Sequence, residues 1–153
     1  MIDLFILVLI TVILLQNTKI YLYVYVTGLL VSYLIGIILK RVLKQPRPNS
    51  DMQSFNFRLI HHIHTMSTNE FGMPSLHAII SAYSTLYMIL VSSYKEIWVG
   101  YICATVAICT YKIHMLFHSI YQIIVGLFIG ICVAYICILI STYILKVRGE
   151  NEN

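Results

Sequence analysis

Seven side chains scattered along a mostly apolar chain can share one piece of chemistry. Lys40 and Arg47 lie in "KRVLKQPRPNSD", Ser75 and His77 in "FGMPSLHA", and Lys112, His118 and Gln122 in "YKIHMLFHSIYQ". Three cations, a hydroxyl and two imidazoles suit a phosphate group above other ligands. Lys and Arg neutralise it, and Arg can hold it through two parallel hydrogen bonds. "PSLH" opens an apolar run, and the first N–H groups and dipole of a helix starting there also favour an anion. One His can then attack phosphorus while a second protonates the departing oxygen.

The elements that must position these groups follow from composition. The chain has 153 residues, is 59% hydrophobic and only 10% charged, and has a mean hydropathy of +0.86. Ordinary soluble domains carry about 25% charged residues, so lipid is the expected solvent. Lipid admits helices or closed barrels, and the apolar runs are too long for barrel strands. The expectation is an all-α, polytopic membrane helix bundle of about five transmembrane helices. It forms a single membrane-embedded domain over residues 1–153. The net charge of +4 is spread along the chain, with no block suited to nucleic acid.

The five expected helices are Ile2 to Leu15, Ile20 to Leu39, Leu76 to Tyr94, Ile97 to Tyr111 and Ile123 to Leu145. The first is short for a span and reads as a tilted helix or signal-anchor. Residues 49 to about 73 form one long polar stretch, "KE" (95–96) reads as a tight turn, and "KVRGENEN" reads as a frayed tail. If the spans alternate in direction, the three polar clusters fall on one side of the membrane. Ionisable groups at such a place are functional candidates by default. His114, His118 and Gln122 are spaced by four, which puts them on one helix face.

The order Lys40-x6-Arg47-Pro48, then Pro74-Ser75-Leu76-His77, then Lys112-x5-His118-x3-Gln122 resembles the type-2 phosphatidic acid phosphatase superfamily of integral-membrane lipid phosphatases. Its pattern is K-x6-R-P, P-S-G-H and S-R-x5-H-x3-D, and the internal spacings match in all three blocks. Within it, "FGMPSLHA" and "LFHSIYQIIVG" are most similar to dolichyl-diphosphatases. The resemblance implies that His118 is the nucleophile, forming a phosphohistidine, that His77 is the general acid, and that Gln122 holds His118. It also implies that Lys40, Arg47, Ser75, the Leu76 N–H and Lys112 bind the phosphoryl oxygens. No cofactor or metal is called for, and the partner is a lipid phosphate or diphosphate. Three departures stand out. Leu76 replaces Gly or Ser; Lys112 keeps the charge of Arg without its fork; Gln122 replaces an Asp and cannot stabilise imidazolium by charge.

Other features read more plainly. Arg41 and Lys44 are topology-setting cations. His61, His62 and His64 of "HHIH" lack a partner carboxylate or Cys motif and read as a solvated or interfacial loop. His114 either lines the pocket or snorkels. Cys103, Cys109, Cys132 and Cys137 read as small buried hydrophobes. Gly126-x-x-x-Gly130 fits close packing within the bundle or a homo-oligomer. The tyrosine stripes fit the membrane interface or the bundle core.

The alternatives at this point are a phosphatidate or sphingoid-phosphate phosphatase, a structural or channel-like membrane protein, and a haem-binding bundle. Beyond the motif, Arg41, Lys44 and Arg58 lie on the site side, against Lys19, Lys95, Lys146 and Arg148 opposite. Positive-inside counting then places the site in the lumen of the endoplasmic reticulum or a related membrane.

Overall fold

The computed structural model describes residues 2–63 and 66–150, which form six α-helices and no strand. They are α1 (Ile2–Leu15), α2 (Lys19–Leu43), α3 (Met52–His61), α4 (Leu76–Val91), α5 (Lys95–His114) and α6 (Ile120–Glu150). Of these, α2, α5 and α6 are long and apolar enough to cross a membrane, while α1 and α4 are shorter apolar helices.

α4 is the axis of the bundle: α6, α5, α2 and α1 all pack on it, α6 most extensively. Its 16 residues reach about 24 Å, less than a hydrocarbon core of ~30 Å. Protein surrounds it, since Ala78 to Thr85, Tyr87 and Met88 are all buried. That explains its hydroxyls, each of which must be hydrogen-bonded once enclosed. Ser84 Oγ meets the Tyr25 hydroxyl at 2.8 Å, and Thr85 meets Thr105 at 2.7 Å. Tyr83 donates to the Tyr25 carbonyl and Tyr87 to that of Tyr21. The rings of Tyr25, Tyr83 and Tyr87 lie 5.3–5.8 Å apart, so these tyrosines are core.

The G-x-x-x-G of α6 is used inside the chain. A Cβ on Gly126 would lie 2.8 Å from the Ser75 carbonyl, and one on Gly130 would strike the Ile79 carbonyl. Both glycines bring α6 against the α4 backbone, so the motif gives no support to a homo-oligomer. Gly130→Val is therefore expected to destabilise by about 1–3 kcal/mol through overpacking. Gly100→Ala, where a Cβ meets nothing within 4 Å, should leave stability unchanged or raise it slightly. Thermal unfolding of the two variants in detergent checks both.

Several boundaries differ from the sequence expectation. The polar stretch contains a helix, α3, whose N-cap Asp51 accepts from the Gln53 and Ser54 N–H groups. Those amides and the Ser54 hydroxyl hold the Asp51 carboxyl below its usual pKa. Phe55 anchors α3 by packing edge-on against Phe71. "KE" is the first turn of α5, not a loop. The charged tail continues α6 as far as Glu150. Residues 115–119 interrupt what reads as one helix. Leu116 is left-handed there, and the Phe117 and His118 N–H groups both bond to the Lys112 carbonyl. His114 and His118 therefore do not share a face, and His114 is exposed. Of the cysteines, Cys109 and Cys137 are buried, but Cys103 and Cys132 lie on the outer surface, contrary to expectation.

Candidate active site

The C-terminal end of α2, the N-terminal end of α4 and the junction of α5 with α6 meet at one end of the bundle. Backbone bonds lock their loops together. Gly72 N–H donates to the Gln45 carbonyl (2.7 Å), Pro46 and Phe71 form an isolated antiparallel bridge, and Ser75 N–H donates to the Gln122 carbonyl (3.1 Å). The three polar blocks thus converge, as alternating spans require.

Each expected residue has a defined place. Lys40, in the last turn of α2, is 2% exposed, and its ammonium donates to the Phe71 carbonyl. Arg47 sits in the loop after α2 with its Nε buried and unpartnered by protein. Ser75 is the N-cap of α4, its Oγ accepting from Ala78 N–H at 3.4 Å. Leu76 and His77 follow in the first turn, where a helix leaves N–H groups without intrahelical acceptors. Leu76 is half-buried and fits against Gly36 of α2, so its bulk is absorbed by the bundle. His77 Nε2 is buried without a protein partner and lies in the field of Lys112, His118 and Arg47. Lys112, at the end of α5, is buried between the Tyr111 and Phe117 rings, 5.3 and 5.5 Å from their centroids. Among the described residues, none of Lys40, Arg47 and Lys112 is paired with a carboxylate; the ion pair nearby is Arg58–Glu70 at 2.7 Å.

His118 and Gln122 are each 3% exposed. Gln122 Nε2 donates to the Pro46 carbonyl at 3.0 Å, and its Oε1 accepts from Ser119 N–H at 3.2 Å. A carbonyl needs a donor and an N–H needs an acceptor, so these two partners orient the amide. Oε1 then faces His118 Nδ1 at 3.3 Å. Nδ1 is accordingly a donor to Gln122, the Gly72 backbone also bonds the His118 ring, and with the proton on Nδ1 the lone pair lies on Nε2. Burial, and then the positive charges of Arg47 and Lys40, push the His118 pKa down to about 4. Burial also lowers the Arg47 pKa, although a guanidinium stays protonated in any protein setting.

The His118 shift has a direct consequence. An imidazole near its ordinary value would be partly protonated at pH 6, whereas His118 should remain neutral, with its lone pair free, until the pH falls to about 4. Arg47→Ala removes the larger of the two charge contributions and should move this midpoint upward. NMR titration of histidine-labelled protein checks both values.

The sequence reading missed Pro46, Gly72 and Phe71, which contact Gln122 and Lys40 through backbone atoms or bare space; residue type carries no signal for that. His61 ends α3 against Phe57 (4.8 Å between rings), with His62 after it; His64 lies outside the described residues. Among the described residues, no group of three or more His, Cys, Asp or Glu is placed to hold a metal.

An all-helical bundle with long apolar spans, carrying buried cations and a buried histidine at one end, is the architecture of an integral-membrane protein. The family model of the PAP2 superfamily matches residues 21–146, and the chain belongs to that superfamily, whose members are in general phosphatases. No curated protein and no solved structure matches the chain.

Proposed function

We propose that this protein hydrolyses a polyprenyl diphosphate of the dolichyl type to the monophosphate and inorganic phosphate, through a phosphohistidine on His118. The observation that carries the reading is the Gln122–His118 contact, which leaves Nε2 available in the field of Arg47 and Lys40, neither of them paired with a carboxylate among the described residues. In the first step Nε2 attacks the terminal phosphorus and forms a P–N bond. The bridging P–O bond breaks, and the polyprenyl phosphate leaves with the electron pair and takes a proton from His77. In the second step His77 accepts a proton from water, the water oxygen attacks phosphorus, and the P–N bond breaks to release inorganic phosphate. Lys40, Arg47, Lys112 and the first N–H groups of α4 hold the phosphoryl oxygens, with the Ser75 hydroxyl beside them. They supply the charge stabilisation, so the reaction proceeds without a metal.

The substrate class follows from the surroundings. Three cations, none of them ion-paired with a carboxylate among the described residues, favour a diphosphate over a monoester. An apolar groove of about 650 Å³ between α1, α2 and α4 offers a seat for the hydrocarbon chain, and Ile80, one turn past His77, lines it. Outside the motif cations, Lys19, Lys95, Lys146 and Arg148 on the opposite side against Arg41, Lys44 and Arg58 on this one support a lumenal site in an internal membrane. Purified protein given a polyprenyl diphosphate with excess chelator should release inorganic phosphate and leave the monophosphate. Activity that vanishes on chelation and returns with a divalent cation would overturn the metal-free mechanism. Faster turnover of phosphatidate would overturn the substrate assignment.

A further inference from the structure

Gly72 has no need to be glycine on backbone grounds, because no glycine among the described residues has a positive φ. Its backbone bonds the His118 ring, and what its missing side chain offers is space. A Cβ at this position would lie 2.5 Å from Gln122 Nε2 and 2.6 Å from Oε1, well inside any tolerated contact. The amide of Gln122 occupies the volume a side chain at residue 72 would fill. From there it makes three contacts at once: the Pro46 carbonyl beside Arg47, the Ser119 N–H, and His118 Nδ1. Gly72 and Pro46 belong to the loops joined by the Gly72–Gln45 bond and the Pro46–Phe71 bridge. Moving the amide would disturb the nucleophile and the Arg47 loop together.

We propose that Gly72 is a positioning residue: by carrying no side chain it admits the Gln122 amide, which ties His118 to the Arg47 loop, and this tie requires an amide rather than a carboxylate. The catalytic part of the inference rests on the phosphatase reading above. The chemical requirement is specific. A carboxylate at residue 122 could accept from Ser119 and His118 but could not donate to the Pro46 carbonyl, and two acceptor oxygens would face each other at about 3 Å. A protonated carboxyl restores the donor. The other titratable or charged groups around the position are His118 on the adjoining loop, Arg47 on the loop after α2, Lys40 on α2, Lys112 on α5 and His77 on α4.

Two signatures distinguish this tie from general packing. First, Gly72→Ala should lower kcat about tenfold or more in the parent, but less than about twofold in a Gln122→Ala background, where the clashing amide is gone. A glycine needed for the loop itself would cost the same in both. Second, Gln122→Glu should be impaired at pH 8, and its activity relative to the parent should rise as the pH falls to 5. Taking the ratio removes the titration of substrate and of the shared histidines and cations.

The experiment measures lipid diphosphate turnover and orthovanadate affinity for the parent, the two single variants, Gln122→Ala and the double variant. Equal penalties for Gly72→Ala in the two backgrounds, or a Gln122→Glu ratio that stays flat with pH, would overturn the proposal. A parent that binds orthovanadate without hydrolysing lipid refutes the phosphatase reading. The tie is then decided by whether the same non-additivity and pH signature appear in orthovanadate affinity. A parent that neither hydrolyses lipid nor binds orthovanadate overturns both.

Discussion

His118→Ala is expected to abolish turnover, with loss to the level of the uncatalysed reaction. The reason is the absence of a substitute. His118 is buried where the α5–α6 junction meets the Arg47 loop, and its Nδ1 is occupied by Gln122. The other imidazole of the site, His77, sits on the first turn of α4 and is assigned the proton-transfer role. The hydroxyls and thiol nearby are otherwise engaged: Ser75 Oγ caps α4, Ser119 Oγ accepts from Gln122 N–H, and Cys109 is buried along α5. Binding should survive, because Lys40, Arg47, Lys112 and the α4 terminus are untouched. The measurement is phosphate release together with orthovanadate affinity. Lost turnover with retained affinity is the expected pair. A variant that still turns over within about tenfold of the parent would show that the nucleophile lies elsewhere.

The second large effect concerns His77. Its Nε2 is buried and lacks a protein partner, which leaves it free to meet a substrate oxygen. A positioned acid contributes typically about 100-fold to 10,000-fold, so His77→Ala should slow hydrolysis of the lipid diphosphate by at least about 100-fold. A dinitrophenyl phosphate that forms the same phosphoenzyme has a leaving oxygen that is less basic than that of a polyprenyl phosphate and needs no proton, so for that substrate the first step should be nearly unaffected. The contrast is read as a burst of released aryl alcohol followed by slow turnover. An equal loss of the burst rate with both substrates would assign His77 to binding instead of proton transfer.

Much of the site was legible because lipid makes a polar residue conspicuous. Against a 59% hydrophobic background, Lys40, Arg47, Ser75, His77, Lys112, His118 and Gln122 stand out, and alternation of spans is enough to bring them to one end. Their spacing carried the family as well. What stayed illegible depends on backbone partners. The break at 115–119 was hidden because residues spaced by four look like one helix face whether or not the helix is continuous. The left-handed Leu116 and the shared Lys112 carbonyl give no pattern of residue types. α3 did leave a trace, in Asp51 as a capping residue ahead of Phe55, but its polarity masked a helix that lies outside the apolar spans. The outward Cys103 and Cys132 reflect a different ambiguity, since a small apolar residue fits lipid as well as core. Lys40 reaching the Phe71 carbonyl, and Gly72 yielding space to Gln122, could be found only from coordinates.

The mechanism turns on a covalent phosphoryl group on His118, which rapid quenching can trap. Parent protein is mixed with polyprenyl diphosphate labelled in the terminal phosphate, quenched in alkali within the first turnover, digested and analysed by mass spectrometry. The expected result is an acid-labile, alkali-stable phosphoryl group on the peptide containing His118, formed and discharged at rates that match turnover. With the aryl phosphate as donor, whose first step is spared, His77→Ala should accumulate the same species. Brisk release of phosphate by the parent with no label on that peptide would contradict the phosphohistidine route.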